Sequence, residues 1–470
     1  MKHTTKKVLA ATTAALTAFI CQPAARGQNA DALIDKLIEK GILTNKEGQA
    51  LREEADKDFT RAYQSKSGLP DWVTNLRIGG DVRLRYDGIY QDPDNGGATS
   101  VDRNRLRYRM RVGVTATMMD DMEVGLRFTS AENKSTGNNG QGDPISGNDT
   151  LTSNGSKKPL WIDLAYAKWQ FLNRPDFSGT FIGGKMENPF VFDEVVFDGD
   201  YTPEGLAFQL GYTVNDEHAL KFNAGLFSLA EIGASSHDTY MMGAQLRWEG
   251  NWNAHWASSL GLSALAISDK QNLTHAAAGV NPNVLDVSRG NTRVSSVGAL
   301  TSSFNPIIVD GSVTYTRESF PFYPGAFPIK FAAEYINNPA ASANPATSPI
   351  GPGRTRGEAY SIGMQLGKSG KKGTWDLTYK WKWLESNYWF EEVVDSDHGA
   401  WYQTSPFVGG GGTGYGAGTN LRGHYMRAAY SPYDSLSLSV TYYLFGLIDK
   451  PAGASSSTAG RIQVDAAFKF

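Results

Sequence analysis

The chain has 470 residues, 40% hydrophobic and 20% charged, with 51 Gly, 21 Tyr and 20 Pro and a formal net charge of −3. A near-neutral balance gives no reason to expect a nucleic-acid partner. Gly and aromatic residues with modest Pro favour β structure over collagen-like or disordered classes.

The first residues read as an exported leader over 1–27. Lys2, Lys6 and Lys7 precede the apolar run Val8 to Ile20, and Ala25 and Gly27 place small residues where cleavage requires them. Cys21 offers a lipoprotein alternative, but Ile20 stands where a small residue is needed. Cleavage near Gly27 removes Lys2, Lys6, Lys7 and Arg26, taking the formal charge from −3 to −7, and leaves no cysteine. Stabilisation then has to come from the fold rather than from disulfides. No later segment carries the roughly 18 uninterrupted apolar residues of a transmembrane helix.

Residues 28–70 read as a short helical periplasmic segment. Leu33, Ile34, Leu37 and Ile38 recur at helical spacing before Gly41, and Thr44 with Glu47 forms a capping box for a second helix over about Asn45 to Tyr63. The apolar stripe is too short for a long coiled coil, so a helical hairpin is expected.

Over 71–470 the period changes to two. Leu76, Ile78, Val82, Leu84 and Tyr86 alternate with Arg77, Asp81, Arg83 and Arg85. Arg103, Arg105, Arg107, Arg109 and Arg111 alternate with Leu106, Tyr108, Met110, Val112 and Val114. In a strand these sets face opposite sides. The pattern recurs through Met122–Phe128, Leu206–Tyr212, Tyr240–Trp248, Ile329–Tyr335, Tyr360–Leu366, Trp375–Trp383 and Leu436–Leu444. Short links fall near Asp120-Asp121, Arg174 to Asp176, Asn215 to Glu217, Gly250-Asn251, Pro321 to Pro324, Ser369 to Lys372 and Pro432 to Asp434, while the intervening links are long. Alternating short and long links with apolar-out, polar-in strands predict an all-β, transmembrane antiparallel β-barrel of about sixteen strands. Tyr212, Trp248, Trp375 and Tyr430 fall near strand ends, where interfacial girdles form.

The final strand alternates through Ile462, Val464, Ala466 and Phe468 and ends on Phe470, which is similar to the assembly signal of bacterial outer-membrane barrels. With the segment "ALIDKLIEKGILTNKEGQALREE" and the motifs "GKMENPF" (Gly184 to Phe190) and "DGDYTPEGLAF" (Asp198 to Phe208), the chain resembles the putative porin family. That resemblance implies passive transport and a homo-oligomer, with a trimer as one form. Its partners are then outer-membrane lipid and the barrel assembly machinery.

Two groups of residues are candidates for the lumen. Arg83, Arg85, Arg103, Arg105, Arg107, Arg109 and Arg111 would form a basic wall, either a functional strip lining the pore or an ion-paired surface. Asp193, Glu194, Asp198, Asp200 and Glu204, with Glu187, lie in one link that also carries Phe190, Val191, Phe192, Val195, Val196 and Phe197. Folded inward, this third long loop resembles the constriction loop of general porins, and its acids would face the arginines across a transverse field. Asp238 beside His237 and Asp397 beside His398 read as solvated loop residues, so no catalytic group, metal or cofactor is expected. The function expected is a channel for ions and small hydrophilic solutes. An anion- or phosphate-selective channel and a non-conducting barrel enzyme or adhesin are the alternatives.

Overall fold

The structure is a computed structural model, and it describes residues 70–91, 102–136, 139–193, 195–232, 236–273, 289–294, 299–346, 348, 351–398, 400–401, 415–416, 418–450 and 458–470. Leu76–Phe470 forms one compact unit. Of the preceding unit, Met1–Asn75, only residues 70–75 are described. The expected leader and helical segment therefore lie outside the described residues.

Sixteen antiparallel strands form a closed ring. They are β1 (Val73–Gln91), β2 (Arg103–Met118), β3 (Met122–Thr129), β4 (Trp161–Asn173), β5 (Phe177–Lys185), β6 (Glu204–Thr213), β7 (His218–Ala230) and β8 (Thr239–Asn251). The ring continues with β9 (Trp256–Ile267), β10 (Ile307–Arg317), β11 (Phe327–Asn337), β12 (Glu358–Gly367), β13 (Trp375–Leu384), β14 (Leu421–Tyr433), β15 (Leu436–Leu447) and β16 (Ala459–Lys469). Each strand pairs with its sequence neighbours, and β16 returns to β1 from Asp81↔Lys469 to Gln91↔Ala459. Closure leaves no barrel strand with an unpaired edge, which a lipid-embedded sheet requires. A two-residue strand, Asp149–Thr150, adds to β2 outside the ring.

The seven short turns sit at one end of the ring, the β8–β9 turn falling at 252–255 because Gly250 and Asn251, expected in it, still belong to β8. Asp120 and Asp121 take left-handed φ values of 63° and 57° in the three-residue β2–β3 turn between Met118 and Met122, a conformation Asp tolerates better than most side chains. Both ends of the ring's chain meet there. Phe470 donates its N–H to Gly80 O at 3.1 Å and accepts from Gly80 N at 3.0 Å. Gly80 has to be glycine, because a Cβ there would lie 2.1 Å from Arg111 O.

The outer face is apolar. Leu84, Leu106, Met110, Val124, Leu206, Leu246, Leu260, Phe331, Ile362, Val440 and Val464 are all exposed. Aromatic rings gather near the short turns: Trp248 meets Trp252 at 5.5 Å, Trp256 meets Tyr315 at 4.9 Å, and Phe327 meets Trp375 at 5.2 Å.

Candidate functional site

The inward-facing positions are polar along most of the ring but apolar near the long-loop end. Ile308, Ile336, Ala359, Leu384, Leu421 and Leu447 are successive register partners across β10–β15, and all are buried. They make a belt inside the ring, and two loops pack on it.

The first loop, residues 186–203 between β5 and β6, contributes Phe190, Val195, Val196 and Phe197 to the cluster built on this belt. The second, residues 385–420 between β13 and β14, contributes Tyr388, Trp389, Phe390, Val393 and Val394. Phe197 meets Trp389 edge-on at 6.3 Å. The Tyr388 hydroxyl donates to Val195 O at 2.7 Å, and Asp198 N donates to Val393 O at 2.8 Å. Phe190, Phe197 and Asp198 of the first loop and Tyr388 to Val394 of the second therefore lie inside the ring and hold each other. Burial of their apolar side chains drives the inward fold, at roughly 1.5–3 kcal/mol for each large residue.

A row of side-chain amides fastens the first loop to the wall. Asn223 on β7 stands in register between Gln209 on β6 and Gln245 on β8. Gln209 donates to Asn223 Oδ1 and Asn223 to Gln245 Oε1, both at 3.1 Å. Gln245 then closes a two-way pair with the backbone of Val191. It donates to Val191 O and accepts from Val191 N, each at 2.9 Å. Gln209 adds a bond to Pro189 O at 3.2 Å. The "ENPF" stretch is held by this latch, which the sequence reading missed. Uncharged amides on an inward face carry no pattern that sets them apart from other solvated residues.

Arg83, Arg85, Arg105, Arg107, Arg109 and Arg111 face inward and meet carboxylates. Arg85 binds Asp465 through two nitrogens at 2.7 and 2.8 Å and Asp397 at 3.2 Å. Arg105 reaches Asp87 at 2.8 Å, and Arg107 reaches Glu132 at 3.3 Å. Arg109 donates to Asp200 at 2.6 Å and to Asp81 at 2.9 Å. Arg111 donates to Asp81 at 2.7 Å, and Arg83 lies 3.9 Å from Asp200 while bonding Asn148 at 2.8 Å. Arg461 of β16 joins the network through Asp87 at 2.7 Å and Asp397 at 3.1 Å. Arg103 is half-buried at the long-loop end of β2.

The loop acids are thus distributed among separate partners. Asp200 touches the arginine wall itself, so no aqueous gap separates the two. Burial alone would raise its carboxyl, but Arg109, Arg83 and Arg111 outweigh that and hold it below the usual range. Asp198, two residues earlier, is pushed well up by burial and by the charges of Asp395 and Asp200. Asp193 pairs with Lys380 on β13, and Glu204 pairs with Lys185 at 2.9 Å. Glu187 pairs with Arg127. Glu194 lies outside the described residues.

One expectation fails at the second loop. Asp397 and His398 do not lie on a solvated surface. His398 is 1% exposed, with Nε2 2.9 Å from Lys382 Nζ, and Asp397 is held far below the usual carboxylate range. Burial opposes that shift, and Arg461 and Arg85 override it. Asp397 and His398 carry no sign of burial in the sequence around them, because the arginines that draw the loop inward are on β1 and β16. Asp238 does sit in a turn, accepting from Ile232 N at 3.0 Å.

Opposite the arginines, one residue pair below the apolar belt, runs a second polar row. Arg247 on β8 aligns with Gly261, Asp310, Glu334, Ser361 and Lys382 on β9 to β13. Arg247 donates to Asp310 Oδ1 at 2.5 Å across Gly261, where a Cβ would lie 2.1 Å from Asp310 Oδ2. Arg247, Asp310, Glu334 and Ser361 of this row line a cavity of about 270 Å³, together with Val191, Phe192 and Asp193 of the first loop. A second cavity of about 750 Å³ lies between Arg109, Arg111, Asp163, Asp200 and Glu392. Among the described residues no group of three His, Cys, Asp or Glu could hold a metal ion.

A family model described as putative porin matches residues 97–281. No curated protein matches the chain. Among solved structures, OprB of Pseudomonas putida at high pH is 11% identical with a TM-score of 0.45, over 88% of this chain and 97% of that one. OmpF of Salmonella typhi in complex with daunomycin is 10% identical with a TM-score of 0.42, over 84% and 97%. The outer membrane channel DcaP of Acinetobacter baumannii is 12% identical with a TM-score of 0.40, over 84% and 97%.

Proposed function

We propose that this chain is an outer-membrane porin through which ions and small hydrophilic solutes diffuse passively. The observation that carries the reading is the closed ring of sixteen strands, apolar outside and polar inside, with a loop fastened across its interior. A ring of this size encloses more space than its own side chains fill. The putative porin family match over residues 97–281 points the same way.

In this reading the short turns face the periplasm and the long loops face outward. The leader over 1–27 is removed, residues 28–70 stay in the periplasm, and Phe470 serves assembly. Further copies of the chain complete a homo-oligomer. The paired network favours a channel of low anion preference over an anion- or phosphate-selective one. A carboxylate stands within 3.9 Å of each of Arg83, Arg85, Arg105, Arg107, Arg109 and Arg111, so these guanidinium groups enter the lumen already neutralised. Asp193, Asp198 and Asp200 then act mainly as anchors of the inward loop, while Glu204, the first residue of β6, holds an exposed pair with Lys185. Liposomes containing the purified chain should swell in small sugars and amino acids, at rates that fall as solute size rises. Swelling no faster than that of empty liposomes contradicts the reading.

A further inference from the structure

We propose that the cavity under the first loop is a solute subsite that takes ammonium or guanidinium groups through Glu334 and Asp310. The inference rests on the channel reading and adds a chemical preference to it.

Glu334 lines this cavity and is 4% exposed. Neither of its carboxylate oxygens has a hydrogen-bond partner among the described residues, and neither does Asp310 Oδ2. Glu334 and Asp310 both line the cavity, and their three unpartnered oxygens lie buried just behind its surface. The two residues stand directly opposite each other across β10 and β11, where side chains begin about 5 Å apart. Two carboxylates so placed repel, and a buried unpaired charge is strongly disfavoured. The site is complete only when something with N–H donors enters.

The cations around it are engaged elsewhere. Arg247 gives Nη1 to Asp310 Oδ1 and to Val191 O, the latter at 3.2 Å. Lys380 Nζ is taken by Asp193, and Lys382 Nζ faces His398. Lys330 also lines the cavity but is exposed, four residues along β11 from Glu334. The fixed charges thus leave the Glu334 and Asp310 oxygens to an arriving group. A planar guanidinium or a primary ammonium supplies several donors to adjacent carboxylate oxygens at once. The volume of about 270 Å³ suits a small solute or the cationic head of a larger one.

The test uses the full mature chain in planar bilayers carrying potassium current. Guanidinium and tetramethylammonium have the same charge, but only guanidinium has N–H donors. Guanidinium should reduce the current at concentrations where tetramethylammonium does not. Glu334→Gln, which removes the ionisable carboxyl at nearly constant volume, should raise the guanidinium concentration for half-block about tenfold, as loss of a charged hydrogen bond predicts. Equal block by the two cations, or equal block of wild type and E334Q, overturns the subsite while leaving the channel intact. The comparison of the two cations on wild type does not depend on any variant folding. Absence of channel steps overturns both the channel reading and this inference.

Discussion

The two walls of the lumen use charge in opposite ways. On β1, β2 and β16, a dense set of arginines is matched by Asp81, Asp87, Glu132, Asp200, Asp397 and Asp465, so a strongly charged surface has little charge left over. On β8 to β13 the charges are fewer, yet Glu334 and one oxygen of Asp310 are left without partners. Charge density along a strand therefore says little about the charge a solute meets. What counts is which acids and bases the ring and its loops bring within reach. The arginine wall is better described as the seat on which two acidic loops are docked, and the sparser wall as the surface left open beneath them.

The largest effect that would break this comparison is expected at Asp200. Asp200→Asn leaves Arg109, Arg83 and Arg111 short of a carboxylate in a buried setting. The loss should be about 3–5 kcal/mol of folded-state stability, read from the urea midpoint of the protein folded in vesicles. A midpoint unchanged from wild type would mean that the arginine wall does not seat the loop.

Next in size is the latch. Gln245→Leu removes both bonds to Val191 and the acceptor for Asn223. A loss of about 1–3 kcal/mol is expected, with single-channel conductance raised as the loop loosens. Unaltered conductance would show that the loop is held by its apolar contacts alone.

The pH dependence separates the two neighbouring acids of the loop. Asp198 is raised above its unfolded value, so the stability it contributes is present below the unfolded pKa and is lost as pH rises through the folded one. Asp200 is lowered, so its contribution is present above the unfolded pKa and is lost as pH falls through the folded one. D198N should therefore flatten the loss of stability as pH rises above the ordinary carboxylate range, and D200N the loss as pH falls below it. The same flattening in both variants would contradict the opposed assignments.

The smallest effect is expected just past the loop, where β6 begins. Glu204 pairs with Lys185 while its side chain is 64% exposed. Screened pairs of this kind contribute about 0–1 kcal/mol, so Glu204→Gln should leave the urea midpoint nearly where it was. A shift as large as that of D200N would mean that exposure does not divide these acids.

Much of the ring was legible because a strand's two faces impose a period of two, and lipid on one side with water on the other keeps that period clean. Arg103 to Val114 is the clearest case. The short turns followed from their Asp, Asn, Gly and Pro residues. The pattern failed at the long-loop end, where Phe227, Met241, Ile308, Ile336 and Leu384 point inward and are buried. Both faces are apolar there because folded loops, not water, occupy the inside. The first loop betrayed itself by its apolar run, from Phe190 to Phe197. The second carries Tyr388 to Val394 just as plainly, but sits in a longer Gly-rich link that reads as outward. The partners of the arginines were out of reach for another reason. Asp465 meets Arg85 across 380 positions of sequence, and only ring closure brings them together.

The account's central claim is that an open path runs past the docked loops through the ring. Stepwise current from the purified mature chain in a planar bilayer measures it most directly. The account predicts discrete, voltage-independent steps of one size in wild type and larger steps in Q245L. A folded, inserted protein that passes no current in either form would contradict it.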